Sequence, residues 1–307
     1  MRPLFRSSLL VLLFAVSLPA IAQHSILFLG NSITYDGRFI ADVETWHMFK
    51  FPSEQAEFIN VGLPSETVSG LSEEGHAGGK FPRPDLHERL ARVLAAVKPE
   101  LVIVDYGMND GIYLPLDSVR FMAYRNGMTW LYDELKKAGI PAIVFCTPPV
   151  HDDPVKGSMG YDLVLDEYSR WLMTQGKEKG WEVIDIHFPM KAYLEGMRAK
   201  DPKFKLAEDG VHPGDLGHWL MAREIIAYLG TAAPEASSVI GALGSSQKAV
   251  QVRALVDQRQ HIMKDAWLRR TGFIRPGMPE GLPFEEAEKK AKAITEEIGK
   301  LMAESDK

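Results

Sequence analysis

The stretch SILFLGNSIT, residues 25–34, joins an apolar β-type run to a Gly-Asn-Ser turn and the start of a helical pattern. A strand without polar alternation is buried on both faces, which is the habit of parallel sheets covered by helices. Four further runs follow: EFINV (57–61), LVIVDY (101–106), AIVFC (142–146) and EVIDI (182–186). Helical patterns lie near 37–49, 85–97, 118–138, 160–179 and 214–229. Short strands alternating with longer helices predict an α/β fold with a five-stranded parallel sheet and helices on both faces.

In open sheets of this kind ligands gather beyond the carboxyl ends of the strands. The segments found there are GNSIT (30–34), GLPSET (62–67), GMND (107–110) and TPPVHDD (147–153), with DGVHP (209–213) after the last strand and before the last helix of the domain. All five are expected along one rim.

The flanks read differently. Arg2 and Arg6 precede LLVLLFAVSL and then Ala20-Ile21-Ala22, the pattern of a signal peptide over 1–22 with a small-residue cleavage site. Export to the periplasm or the extracellular space is expected, with no stable membrane anchor after cleavage. The catalytic domain is placed at 23–230. TAAPEASSVIGALGSS (231–246) reads as a linker, and 247–307 as a helical C-terminal extension. In its last helix Ala287, Ala291, Ile294, Ile298 and Leu301 recur at helical spacing, so docking onto the domain is expected.

The 307 residues are 46% hydrophobic and 25% charged, enough for a sizeable core. Cys146 is the only cysteine, so no intramolecular disulfide forms; a lone thiol inside IVFCTP reads as core. Loss of Arg2 and Arg6 with the leader takes the formal charge from −6 to −8. Such a chain has no general attraction for nucleic acid.

Acyl transfer by serine needs a base for the hydroxyl proton, a group to orient the base, and donors for the developing oxyanion. Ser32 stands on a tight turn after a buried strand. His212 follows Asp209 by three residues, so the carboxylate can reach one ring nitrogen and leave the other for a serine across the rim. Asn109, just past the third strand, offers an uncharged amide donor. Each segment alone has a plainer reading as a cap or turn; their common placement at strand ends favours the chemistry.

Taken in order, GNSIT, the segment after the second strand, GMND and DGVHP resemble the four sequence blocks of the SGNH (GDSL-like) hydrolase superfamily, over about residues 25–228. The resemblance implies a flavodoxin-like three-layer α/β/α sandwich. In it Ser32 is the nucleophile, His212 the base and then the acid, and Asp209 the orienting carboxylate. It implies an oxyanion hole from the backbone N–H of Ser32, the Asn109 amide and a backbone N–H in the second block. Counting from Asn60, that last position is Ser65 where a glycine is customary. Asn31 replaces the more familiar aspartate of the first block. No metal or organic cofactor is implied.

Candidate substrate contacts are Asn31, His76, Lys80 and Arg83, the last three in the glycine-rich segment 71–87, together with His151. His151, Asp152 and Asp153 have the types of a metal cluster without its spacing and are read as a substrate-facing loop. His218 and Trp219 are assigned to packing. Export, an acidic surface and the absence of a continuous apolar lid segment point to a carbohydrate O-acetylesterase acting on a small-molecule or polysaccharide ester. A lipase, arylesterase or thioesterase of the same fold is the alternative, and a catalytically silent carbohydrate-binding protein is the alternative from another class.

Overall fold

A computed structural model describes residues 24–153, 160–230 and 232–304. The signal-peptide reading of 1–22 lies outside the described residues. Five strands form one sheet: β1 (His24–Gly30), β2 (Ala56–Asn60), β3 (Leu101–Asp105), β4 (Ala142–Cys146) and β5 (Glu182–Ile184). Their order is β2-β1-β3-β4-β5 and every pairing is parallel. This is the flavodoxin-like order expected of the resemblance. EVIDI is strand only as far as Ile184, because Asp185 turns away to accept from Thr147 Oγ1 (3.1 Å) and the Phe188 N–H (3.2 Å).

The helices are α1 (Ser32–Asp36), α2 (Arg38–Lys50), the single turn α3 (His76–Gly79), α4 (Leu86–Ala96), α5 (Ser118–Lys137), α6 (Asp162–Lys179), α7 (His187–Arg198), α8 (Asp215–Tyr228), α9 (Val239–Ala242), α10 (Gln247–Thr271) and α11 (Phe284–Ala303). Helix α2 packs against α8, and with this strand order the right-handed rule for parallel crossovers places α4, α5 and α6 on the opposite face of the sheet. Helix starts follow capping chemistry. Asp117 accepts from the Val119 and Arg120 N–H groups at the head of α5, and Asp85 accepts from His87 at the head of α4.

Leu27, Phe28, Leu29, Val102, Val104, Val144 and Phe145 are buried in the shared core, as two-sided apolar strands require, and Cys146 is buried among them. Trp219 is buried and its Nε1 donates to the Ala236 carbonyl at 2.6 Å, while buried His218 stacks on Phe39. Both are packing residues. The described residues of the linker, 232–246, are docked on the domain through that bond and through buried Val239 of α9.

The C-terminal extension shares the core. Val252 and Val256 of α10 meet Ala41 of α2 and Ile294 and Ile298 of α11, and Trp267 joins the main cluster. Polar anchors reinforce it: Arg253 pairs with Asp42 at 2.6 Å, and Arg259 with buried Glu44 at 2.8 Å.

One buried acid sits directly below the first turn. Asp105 ends β3, accepts from Thr34 Oγ1 at 3.3 Å, and has no partner for Oδ1. Burial pushes its carboxyl up to about 7. An unfolded carboxyl ionises from its ordinary value of 3.8, so between that value and about 7 the folded state holds the extra proton. Stability therefore falls as pH rises through this window. Asp105→Asn removes that loss. The melting temperature of the variant is expected to exceed that of the parent by a few degrees at pH 8 and by clearly less at pH 5. An equal difference at both values would show that Asp105 is not the source.

Candidate active site

Gly30 and Gly62 let three segments meet. A Cβ on Gly30 would lie 2.1 Å from Thr34 Oγ1 and 2.7 Å from the Asp105 carbonyl, and one on Gly62 would lie 2.3 Å from the Tyr35 nitrogen. With both positions bare, the first turn folds under β3 and the second-block loop runs against α1. The Leu63 N–H then donates to the Gly30 carbonyl at 2.9 Å.

Asn31, not Ser32, caps α1: its Oδ1 accepts from the Ile33 N–H at 3.0 Å. Asn31 is 1% exposed, so it braces the turn and is closed to substrate, contrary to the sequence expectation. The Ser32 hydroxyl is left to donate to His212 Nε2 at 2.8 Å. His212 Nδ1 donates to Asp209 Oδ2 at 2.6 Å, with the ring tautomer assigned from these partners. The other oxygen, Asp209 Oδ1, accepts from the backbone N–H groups of Val211 (2.9 Å) and His212 (2.8 Å). Partial burial would raise this carboxyl, but the His212 ring and the two backbone donors outweigh it and hold it at about 2. Asp209 is thus ionised at any working pH. The His212 and Asp209 side chains are 48% and 56% exposed, so the dyad lies open on the rim.

The loop that carries His212 and Asp209 is held by Asp152, which the sequence placed in a substrate-facing loop, and by Arg38, to which the sequence assigned no role. Asp152 is buried, pairs with Arg198, and accepts from the Leu206 and Ala207 N–H groups, while its own N–H donates to the Gly210 carbonyl at 2.7 Å. It is a brace for the His212 loop, not a substrate-facing or metal-binding residue. Arg38 spans the gap from the serine side: Nε donates to Asp36 Oδ1 and Nη1 to Asp215 Oδ1, both at 2.7 Å, and Nη2 to the Pro213 carbonyl at 3.0 Å.

The second-block loop is similarly tied. Gly62 spends its N–H on Asn60 Oδ1 at 2.9 Å. Ser65 has φ 70°, the left-handed conformation that explains the customary glycine. Among the described residues neither the Ser65 nor the Ser32 backbone N–H has an acceptor in the protein. Asn109 is buried; its Nδ2 donates one hydrogen to the Glu66 carbonyl at 3.1 Å, and its Oδ1 accepts from the Tyr113 hydroxyl at 2.9 Å. Fixed at both ends, the amide keeps a second N–H to offer. Asp110, next in the chain, anchors the same loop through the Val68 and Ser69 N–H groups, both at 2.8 Å.

The remaining candidates divide. Arg83 is buried against Glu73 at 2.6 and 2.7 Å and reaches the Ser65 carbonyl at 3.4 Å, so it is a strut of the second-block loop and not a free cation for substrate. His76 turns toward Glu73 (3.2 Å) and Phe81. Lys80 is exposed. His151 is buried beside Tyr113 and Tyr161 and lines a cavity of about 380 Å³ that reaches Asp209 and Val211. A larger opening, about 450 Å³, lies at the other end of β2 among Glu57, Trp267 and Glu288 and touches none of these residues. Asp162, Asp166 and His187 cluster as metal ligands would, but the Lys191 ammonium stands 2.8 Å from Asp162 and 2.6 Å from Asp166 and supplies the positive charge there.

Comparisons with known proteins give a family and a fold. Residues 28–220 match the model of the GDSL-like lipase/acylhydrolase family. No curated protein sequence gives a significant match. Among solved structures, an acetylxylan esterase from Geobacillus stearothermophilus superposes with TM-score 0.52 at 23% identity, over 69% of this chain and 96% of that one. Structures described as its catalytic mutants replace a serine, an aspartate and a histidine, the last two three residues apart. A gut microbial diltiazem-metabolizing enzyme gives TM-score 0.62 at 15% identity, over 91% of this chain and 86% of that one. An α/β hydrolase from the metagenome of Lake Arreo, Spain, gives 0.52 at 20%, over 69% and 97%. At these identities the likeness establishes a common fold. Strand-end placement, the order of the sequence blocks and the match over most of the sheet domain converge: the chain belongs to the GDSL-like lipase/acylhydrolase family, enzymes that hydrolyse carboxylic esters.

Proposed function

We propose that this protein is an exported serine esterase in which Ser32 attacks the ester carbonyl, His212 carries the proton and Asp209 holds the imidazole. The carrying observation is the unbroken chain from the Ser32 hydroxyl through both nitrogens of His212 to an ionised Asp209, with links of 2.8 and 2.6 Å. As Ser32 Oγ bonds to the carbonyl carbon, its proton passes to Nε2 and the carbonyl oxygen takes up the displaced electron pair. Asp209 stabilises the imidazolium. The ester C–O bond then breaks while Nε2–H returns the proton to the departing alcohol, and water repeats the sequence to release the acid. The Ser32 and Ser65 backbone N–H groups and the second Asn109 N–H are the donors assigned to the oxyanion.

For the substrate we favour an O-acetylated carbohydrate. Its supports are the fold shared with an acetylxylan esterase, the solvent-open dyad, the acidic composition and the leader-like pattern at 1–22. A second reading has an observation of its own. Leu114, Leu116, Val119 and Met122 are exposed on the segment that leaves the cavity rim, an apolar edge that suits longer acyl chains and was not legible as a lid in the sequence.

Purified protein is to be tested on p-nitrophenyl esters of rising chain length and on acetylated xylan, with fluorophosphonate labelling in parallel. Acetate as the fastest ester, release of acetate from xylan and a label on Ser32 are expected. Octanoate as the fastest, with xylan untouched, favours the second reading. Folded protein that neither hydrolyses nor labels sinks both and leaves a carbohydrate-binding protein.

A further inference from the structure

The C-terminal extension reaches the second-block loop. Arg275, in the loop between α10 and α11, donates from Nε to the Pro64 carbonyl at 2.8 Å, and its guanidinium lies 5.5 Å from the centre of the Phe81 ring. The Pro64 carbonyl and the Ser65 N–H belong to the same planar peptide unit. A cation on the oxygen of that unit does two things. It fixes the plane, and so the direction in which the N–H points. It also draws electron density toward the oxygen and makes the N–H a stronger donor.

We propose that Arg275 is a positioning residue for ester hydrolysis: by gripping the Pro64 carbonyl it orients and polarises the Ser65 N–H toward the oxyanion. The inference rests on the serine-esterase reading of the same site. Two more observations support it. Ser65 holds a left-handed conformation that a serine adopts only when its surroundings impose it, and the grips on either side of it are Arg275 on the Pro64 carbonyl and Arg83 on the Ser65 carbonyl. The extension also holds the segment that supplies the other backbone donor. Lys264 Nζ donates to the Tyr35 carbonyl at 3.0 Å and the Tyr35 hydroxyl to Asp265 Oδ1 at 2.8 Å, both within the short helix that starts at Ser32. Arg275 lies outside the stretch 28–220 that matches the family, so no family motif assigns it a role.

A group that acts on an oxyanion donor contributes in the transition state and not in the ground state. Loss of a whole donor costs about a hundred- to a thousandfold in turnover, so loss of its orientation and polarisation is expected to cost roughly tenfold. With p-nitrophenyl acetate, Arg275→Ala should lower kcat about tenfold and leave KM within about twofold. The pH profile should be unchanged, since His212 and Asp209 are untouched. Affinity for a boronic acid, whose serine adduct is tetrahedral, should fall in parallel with kcat. Arg275→Lys should recover part of the loss, and melting temperatures of both variants should stay close to that of the parent. Parent-like kcat in Arg275→Ala, or a fall in kcat matched by a large drop in melting temperature and no recovery with lysine, overturns the inference. Failure of the parent itself to hydrolyse the ester or take a fluorophosphonate label is a different result and tells against the esterase reading instead.

Discussion

Ser32→Ala is expected to lower kcat for p-nitrophenyl acetate by at least about ten-thousandfold and to abolish fluorophosphonate labelling, with the fold unchanged. The hydroxyl is half-buried and donates only to His212 Nε2, so its removal deletes the nucleophile without leaving a buried polar group unsatisfied. His212→Ala should cost nearly as much, because an unassisted hydroxyl is a poor nucleophile and, among the described residues, His212 is the base hydrogen-bonded to it. The decisive measurement is the double variant. If the two residues act as one unit, Ser32→Ala/His212→Ala is no slower than either single change, and the residue of activity is what the oxyanion donors and substrate binding give alone. Multiplicative losses, or a Ser32→Ala enzyme within about tenfold of the parent, would mean that the hydroxyl and the imidazole do not share a step.

The dyad was legible in the sequence because its information is local. Asp209 and His212 are three residues apart on a turn, and both that turn and the one carrying Ser32 lie at sheet ends that alternating strand and helix patterns locate. The five strands were legible for the same reason, since a two-sided apolar run is a strong signal. The helix α7 was missed although Met190 and Leu194 stand four apart and Pro189 occupies its first turn, a signal that was available. What the sequence could not reveal are the side chains that hold the site in place. Arg38 meets Pro213 and Asp215, Asp152 meets Leu206 and Ala207, and Arg275 meets Pro64 across 211 positions. An arginine in a loop carries no mark of the carbonyl it will find, because that pairing exists only after the chain has closed. The same blindness explains Asn31 and Arg83, which looked free to meet substrate and are both committed inside the protein.

The second-block loop has a further brace of this kind, more deeply buried than Arg83 or Arg275, and it should carry a large stability effect. Arg89 and Glu66 are both inaccessible to solvent and form a two-pronged pair, Nε to Oε1 and Nη2 to Oε2, each 2.6 Å. Nη2 also donates to the Val61 carbonyl at 2.8 Å, and the Tyr106 hydroxyl donates to Glu66. In Arg89→Met the aliphatic stem is replaced but a carboxylate remains in the core with one hydroxyl for company. Breaking a buried pair in this way costs about 3–5 kcal/mol, far more than the pair itself contributes. A fall in the urea midpoint equal to that loss divided by the m-value is expected, together with lower activity, since the Glu66 carbonyl is the acceptor that orients Asn109. Arg89→Met/Glu66→Leu removes both charges and should recover most of the lost stability, because an apolar pair of similar volume needs no partner. A single variant within about 1 kcal/mol of the parent would mean that Glu66 is reached by water or sheds its charge at little cost, and a double variant no more stable than the single would mean that shape, not charge, is what Arg89 supplies.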